Sequence, residues 1–387
     1  MVIGAGPVGS YVAYRLAKLA YKVAVLEKHS KVGDAVCCTG IIGKECFDRF
    51  PVANNAILTQ SSSAKFFAPS GKYLRLSKET VQAYVVDRAA FDRALAQKAQ
   101  EAGADYVLSA RVENIAEADS CVRARVEYNG KSSDFEGKVA IISSGFGSAL
   151  PQRLGLGKIN EFVLGAQTEV NITGLEEVEV YFGQDIAPGF FAWLVPTTHG
   201  KALAGLLSRR SPGTYLKGLL SRLSVQGKII SNDSRMSYGG IPLKPLSRTY
   251  SQRVVVVGDA AGQVKPTTGG GIYYGLLCAD KAVEVLNDAL RSEDFSARRL
   301  SSYEKGWKRK LSRELEVGYW ARKLYERLND RQIEQILDLI QANNIHQSLL
   351  QSPDFSFDWH SKSILRVLND NSLRKAVRSI TRRAPHF

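Results

Sequence analysis

The chain has 387 residues, 44% of them hydrophobic, enough for one elaborated core or two to three intertwined ones, and disorder is not the default. A formal net charge of +14 attracts acidic protein surfaces, anionic lipid headgroups and diphosphates, but the cations are dispersed and no nucleic-acid module is present, which argues against a nucleic-acid partner. Five cysteines, odd in number and without a C-x-x-C pair, exclude a disulfide framework, give no metal site and point to a reducing, cytoplasmic compartment. Neither a run of about 18 apolar residues nor a charged-then-apolar leader is found, so no spanning helix or secretory signal is expected.

The first predicted element is the strand Met1-Val2-Ile3, followed by Gly4-Ala5-Gly6-Pro7-Val8-Gly9, a helix from Tyr11 to Leu19, and a strand Val23 to Leu26 closed by Glu27. That order is a dinucleotide-binding unit. Gly4, Gly6 and Gly9 permit a tight turn, let backbone approach a pyrophosphate and aim a helix N-terminus at its charge, while Glu27 takes a ribose hydroxyl. Met1 already falls inside the first strand, so a native start a few strand residues earlier is expected. Val85-Val86-Asp87-Arg88 leads into an amphipathic helix with Phe91, Leu95 and Ala99 at helical spacing, bringing Arg88 toward the cofactor. Residues 104–140 alternate as a small antiparallel ribbon turning at Asn129-Gly130, and Ile141-Ile142-Ser143-Ser144-Gly145 returns to the dinucleotide sheet. Strands such as Val178 to Phe182 and Ala202 to Leu206 then floor a second, substrate-covering domain. A second glycine-rich run follows, Val254 to Gly262 with Gly258-Asp259, then Pro266-Thr267-Thr268-Gly269-Gly270-Gly271 and a helix from Ile272. Beyond Leu286 the chain is helical and charged, with Trp307, Leu311, Leu315, Tyr319 and Trp320 expected over the core.

The two glycine signatures together resemble the glutathione-reductase-like FAD-binding fold. The fold class that follows is α/β: an FAD-binding Rossmann domain from 1–50, 81–154 and 236–290, an inserted antiparallel-sheet substrate domain from 51–80 and 155–235, and a helical C-terminal region, 291–387. The resemblance implies that Gly258 and Asp259 reach the ribityl chain and that Gly269, Gly270, Gly271 and Ile272 face the flavin pyrimidine ring. With a single dinucleotide fingerprint there is no separate NADPH domain, so electrons come from transiently docked NAD(P)H or from a carrier such as reduced ferredoxin, whose acidic surface suits the basic chain.

Pro188-Gly189-Phe190-Phe191-Ala192-Trp193-Leu194-Val195-Pro196 is similar to the Tyr-x-Trp-x-Phe-Pro segment of the geranylgeranyl reductase family, and Cys38-Thr39-Gly40-Ile41-Ile42-Gly43 to its Cys-x-Gly-x-x-Ser stretch. The departures are Phe191, Val195 and Gly43, where that family shows tyrosine, phenylalanine and serine. The resemblance implies an FAD-dependent oxidoreductase hydrogenating isolated C=C bonds of an isoprenoid chain, with a prenyl lipid or prenyl diphosphate as substrate. Phe190, Phe191, Trp193, Val195 and Pro196, joined by Leu194, would wall a dry tunnel, and Cys38 would position the alkene or relay a proton. Strand alternation places Phe191, Trp193 and Val195 on one face, which fits ordinary core equally well.

The alternative enzyme is a flavin monooxygenase or halogenase of the related hydroxylase fold, which needs a lysine near its centre; Lys65, Lys72 and Lys78 are available. A flavin-bearing binding protein without turnover is the third reading. The histidines assemble no triad or metal site. Residues 361–387 carry seven cations, Lys362, Arg366, Arg374, Lys375, Arg378, Arg382 and Arg383, beside a stripe of Leu365, Leu368, Leu373, Ala376, Val377 and Ile380. Such an end either lies on the inner membrane face, as in a peripheral protein, or packs on the domain as a solvated helix.

Overall fold

In the computed structural model, which describes residues 1–34, 36–128, 130–232 and 234–369, two large sheets and a helical layer share one chain. Val2–Ile3 forms the centre of the first sheet, pairing in parallel with Val23–Leu26 on one side and Ala140–Ile142 on the other. Ala104–Val107 extends one edge, and Val254–Val256 with antiparallel Tyr250–Ser251 closes the other. These strands are short and apolar because both faces are covered. Val2, Val25 and Ile141 face a core shared with the helices Pro7–Ala17, Arg88–Glu101 and Ile272–Ser292. Ile3, Leu26 and Ile142 point the other way, and Ile115, Val122 and Ala124 of the antiparallel strands Ala110–Glu117 and Val122–Tyr128 lie among the residues that cover them. The expected ribbon therefore begins at Ala110, since Ala104–Val107 joins the parallel sheet. Its far turn has Gly130 at φ +72°, while Asn129 lies outside the described residues.

Ala83–Val86 stands in a separate three-stranded sheet with Ile41–Gly43 and Ile57–Ser61. The second large sheet runs in the order Ile229–Ser231, Phe162–Ile172, Lys201–Ser208, Ala192–Pro196, Val178–Tyr181, Ser63–Phe67, Tyr73–Ser77, with Ser237–Pro242 also paired to Phe162–Ile172. The expected boundaries shift accordingly: residues 57–61 belong to the small sheet, and 237–242 to the large antiparallel one. One face of that sheet buries Ala166, Leu194 and Leu206 against Leu216 and Leu223 of the helix Pro212–Val225. Leu194 is thereby turned away from the wall predicted for it. The other face carries the register row Gln167, Gly205, Trp193, Val180, Phe66 across five strands.

The helix Ala297–Tyr325 buries Trp307, Leu311, Leu315 and Tyr319 at four-residue spacing, whereas Trp320, one position further around, is 62% exposed rather than in the core. Asp330–Ala342, Ile345–Leu350 and Ser361–Asn369 follow. The last carries Lys362, Leu365, Arg366 and Leu368 of the expected basic end; its continuation, from Leu373 and Arg374 through Lys375, Ala376, Val377, Arg378 and Ile380 to Arg382 and Arg383, lies outside the described residues. Among the described residues no helix is long and apolar enough to cross a membrane.

Candidate functional site

The first turn is built on Gly4, whose φ of +100° only glycine adopts readily and where a Cβ would stand 2.6 Å from the Ser143 carbonyl oxygen. Gly6 caps the helix Pro7–Ala17 without a side-chain acceptor, so the first N–H groups of the helix remain available, and a Cβ at Gly6 would meet open space. Gly9 serves close packing instead, because a Cβ there would collide with the Gly4 carbonyl. Glu27 ends the neighbouring strand with Oε2 accepting from Ala5 N–H at 2.8 Å and Oε1 from His29 N–H at 2.9 Å.

Gly4, Gly6, Glu27, Cys38, Arg88, Asp259, Gly269, Gly270, Gly271 and Ile272 border one cavity of about 820 Å³, and Phe191, Trp193 and Val195 border it too. Besides Leu194, four of the predicted residues lie off its wall. Gly9 and Gly258 pack behind it, Gly258 against Val8. Phe190 is buried with Val163, Leu207, Leu243 and Tyr319, and Pro196 closes its strand away from the cavity. At Gly205 a Cβ would stand 2.5 Å from the Trp193 ring, so the glycine makes room for the indole.

Asp259 sits beside the start of the helix Ile272–Ser292, where a Cβ on Gly271 would strike its carboxylate. Burial pushes its pKa from 3.8 up to about 6, against the pull of Arg88, and its carboxyl accepts no protein hydrogen bond among the described residues. Arg88 chelates Asp92 through Nε and Nη2 at 3.1–3.2 Å and reaches the Cys38 sulfur. Burial opposes its charge, yet Cys38 and Asp92 hold it above the ordinary arginine value. Cys38 Sγ accepts from Gly40 N–H at 3.4 Å, and Gln167 Nε2 donates to the Cys38 carbonyl at 3.3 Å, which ties the cysteine loop to the antiparallel sheet. Ser144 Oγ, Gln167 Oε1 and Trp193 Nε1, on residues bordering the cavity, are buried without a partner among the described residues. A carboxyl without a donor and a helix N-terminus without a side-chain cap, beside an apolar wall, fit a large polar cofactor with one apolar end, as FAD has.

Sequence reasoning missed a strap behind the second glycine run. Lys265 Nζ pairs with Asp358 Oδ1 at 2.6 Å, both side chains nearly fully buried, and Tyr274 Oη donates to the Asp358 carbonyl at 2.9 Å. A Cβ on Gly43 would collide with the Asp358 carboxylate, so the glycine that departs from the family's serine makes room for it. Thr267 Oγ1 lies 2.7 Å from His360 Nδ1, and Glu314 accepts from the backbone N–H groups of His360 and Ser361 at 2.9 Å. Burial, with Lys265 nearby, lowers the His360 pKa to about 4, so the ring is neutral at pH 7. A lysine inside an otherwise uncharged buried turn was the one available signal. Of the three lysines considered for halogenation, Lys65 pairs with Glu177 and Lys72 with Asp338. Lys78 borders the cavity, its Nζ 4.9 Å from the Phe355 ring centre.

The sequence model of the family described as lycopene cyclase protein matches residues 1–342. The digeranylgeranylglycerophospholipid reductase of Methanocaldococcus jannaschii is 30% identical over 354 residues, which cover 88% of this chain and 90% of that protein. Among solved structures, a geranylgeranyl bacteriochlorophyll reductase-like protein of Thermoplasma acidophilum aligns at a TM-score of 0.86 with 23% identity and 98% of each chain covered. A flavin-dependent brominase aligns at a TM-score of 0.70 with 14% identity, over 99% of this chain and 98% of its own. At those identities the two structures speak for the fold.

Proposed function

The chain belongs to the family described as lycopene cyclase protein and, through its curated relatives, to the geranylgeranyl reductase family, and on that premise we propose that it is an FAD-dependent oxidoreductase hydrogenating isolated C=C bonds of a geranylgeranyl-type lipid chain. The observation that carries this reading is the placement, around one cavity, of the Gly269 to Ile272 turn and the apolar row of Trp193, Val180 and Phe66. An isolated alkene has no carbonyl to polarise, so its reduction depends on a dry, tightly fitting wall.

When bound, FAD supplies the two-electron reduction, and electrons reach it from NAD(P)H or from an acidic carrier such as reduced ferredoxin. The turn Gly4 to Gly9 would hold its diphosphate, Glu27 a ribose hydroxyl, and Asp259 a ribityl hydroxyl. The N–H groups of Gly271 and Ile272 at the start of the helix Ile272–Ser292 would supply positive potential to its pyrimidine ring. Phe191, Trp193 and Val195 press the prenyl chain into place, and Cys38 holds the proton that reaches the second alkene carbon, while Arg88 and Gln167 fix its loop. The brominase-like alternative gains one observation, Lys78 on the cavity wall. Anaerobic mixing of the reduced enzyme with a geranylgeranyl substrate separates the readings. Reoxidation without oxygen supports alkene reduction, and reoxidation that requires oxygen supports the monooxygenase or halogenase.

Asp259 gives this reading a pH signature. With its pKa raised to about 6, the group is largely neutral below that pH, and the carboxylate is the stronger acceptor for a ribityl hydroxyl. FAD affinity is therefore expected to rise between pH 4 and 6 and level off above; titration of apoprotein by flavin fluorescence should show the rise in the native chain and a flat, weaker profile in Asp259→Asn.

Trp193→Ala removes a half-buried indole next to Gly205. A fully buried tryptophan costs about 3–5 kcal/mol on such truncation, and this one less. Retained FAD with altered prenyl-length preference is expected; unchanged kinetics across chain lengths would make the row plain core.

A further inference from the structure

Trp320 is 62% exposed on the helix Ala297–Tyr325, its ring in edge contact with the buried Tyr319 ring at 5.4 Å. Arg309, Arg313, Glu316, Trp320 and Lys323 follow one another at alternating four- and three-residue spacing, so they share one face of that helix. Arg309, Arg313 and Glu316 are exposed, and neither arginine makes an ion pair among the described residues. Lys323 pairs with Glu161 at 3.1 Å, and exposed Lys244 flanks the row with Nζ 4.1 Å from the Tyr319 ring centre. The opposite side of the helix meets the second glycine turn. A Cβ on Gly318 would stand 3.3 Å from Pro266 and 3.4 Å from Thr267, and Tyr319 is buried beside Phe191 and Ile241 of the cavity wall. A single helix therefore separates the Trp320 face from the turn that leads into Gly269, Gly270 and Gly271.

We propose that this face, centred on Trp320, is the docking surface for a small acidic protein that carries single electrons to the cavity. Tryptophan and arginine are the side chains that most often anchor protein interfaces, and cations without carboxylates around an exposed indole call for an acidic partner surface. A membrane seat would need more apolar area than one indole supplies, and Glu316 within the row would face anionic headgroups. Two reduced carriers docking in succession each give up one electron. The two electrons, with one proton from water, convert bound FAD to its reduced anion and leave two oxidised carriers. The docking surface rests on the proposed function only for the presence of a flavin.

The test uses a plant-type ferredoxin, a small acidic protein with one two-iron cluster, titrated calorimetrically into the full-length, FAD-loaded chain. Binding is expected at about 0.03 M salt and should weaken about tenfold or more at about 0.3 M. Trp320→Ala, and separately Arg309→Glu with Arg313→Glu, should each weaken it about tenfold or more, the range of an interface anchor. All three side chains are exposed, so flavin content and thermal unfolding should stay native. Anaerobic bleaching of the flavin by reduced ferredoxin should slow in both variants, while bleaching by dithionite should not. Failure of the native chain to bind the ferredoxin, or variants that bind it as the native chain does, would overturn the proposal. Binding to phosphatidylglycerol vesicles that Trp320→Ala abolishes, without ferredoxin binding, would also overturn it and assign the face to a membrane. Bleaching by bound ferredoxin with no hydrogenation of a prenyl lipid would refute the proposed function and leave the docking surface standing.

Discussion

Asp358→Asn is expected to destabilise the protein by about 3–5 kcal/mol and to empty most of its flavin, because it strands the Lys265 ammonium in a nearly dry site. The coupling to flavin follows from the backbone. Lys265 N–H donates to the Gly270 carbonyl at 3.1 Å and Gly269 N–H to the Lys265 carbonyl at 2.9 Å, so a displaced Lys265 moves the glycine turn on the cavity wall, where the proposed flavin would sit. A Cβ on Gly270 would sit 2.7 Å from Lys265 Cε, so the glycine makes the room that the lysine occupies. Thermal unfolding and the ratio of visible to ultraviolet absorbance in the purified protein read both effects. Lys265→Met alone should do similar harm by stranding the carboxylate, whereas Lys265→Met with Asp358→Leu should recover much of the stability, since apolar replacement of both partners removes the desolvation cost. Gly43→Ser should fail in the native background, where its Cβ strikes the Asp358 carboxylate, and be tolerated better with Asp358→Ala.

Cys38→Ala should slow the alkene-dependent oxidation of the reduced enzyme by roughly 100-fold or more, the usual reach of a positioned acid, with FAD content unchanged. Cys38→Ala also removes the sulfur that Gly40 N–H meets, but the Gln167 bond to the Cys38 carbonyl and the Val86 N–H bond to the Gly40 carbonyl remain to hold the loop. Cys38→Ser, which keeps a hydroxyl of similar size, should fall between. Stopped-flow mixing with the alkene isolates this step from reduction by the electron donor. A native rate in Cys38→Ala would make the cysteine a packing residue.

The parts of the fold that follow from local pattern were legible in the sequence. Gly4-Ala5-Gly6 and Gly258-Asp259 announce themselves because each turn needs glycine, and Phe91, Leu95 and Ala99 reveal a helix by spacing. What escaped depends on pairing over long separations. Nothing local to residues 104–107 distinguishes a ribbon strand from the edge of a parallel sheet, and Phe190 and Phe191 lie in the turn before the strand Ala192–Pro196, where alternation does not fix which of them meets the cavity. The strap was hidden for the same reason: Lys265 and Asp358 are 93 positions apart, and Gly43 looks like a loss of function until the carboxylate that fills its space is seen. His360 lies against Thr267 because the chain returns to the second glycine turn after four helices.

The central claim is tested most directly by mass spectrometry of a geranylgeranyl lipid incubated anaerobically with the FAD-loaded protein and a reductant. The account predicts a gain of two hydrogen atoms for each double bond lost, with one flavin oxidised per bond. A product carrying oxygen or halogen, or a rearranged product of unchanged mass, would contradict it.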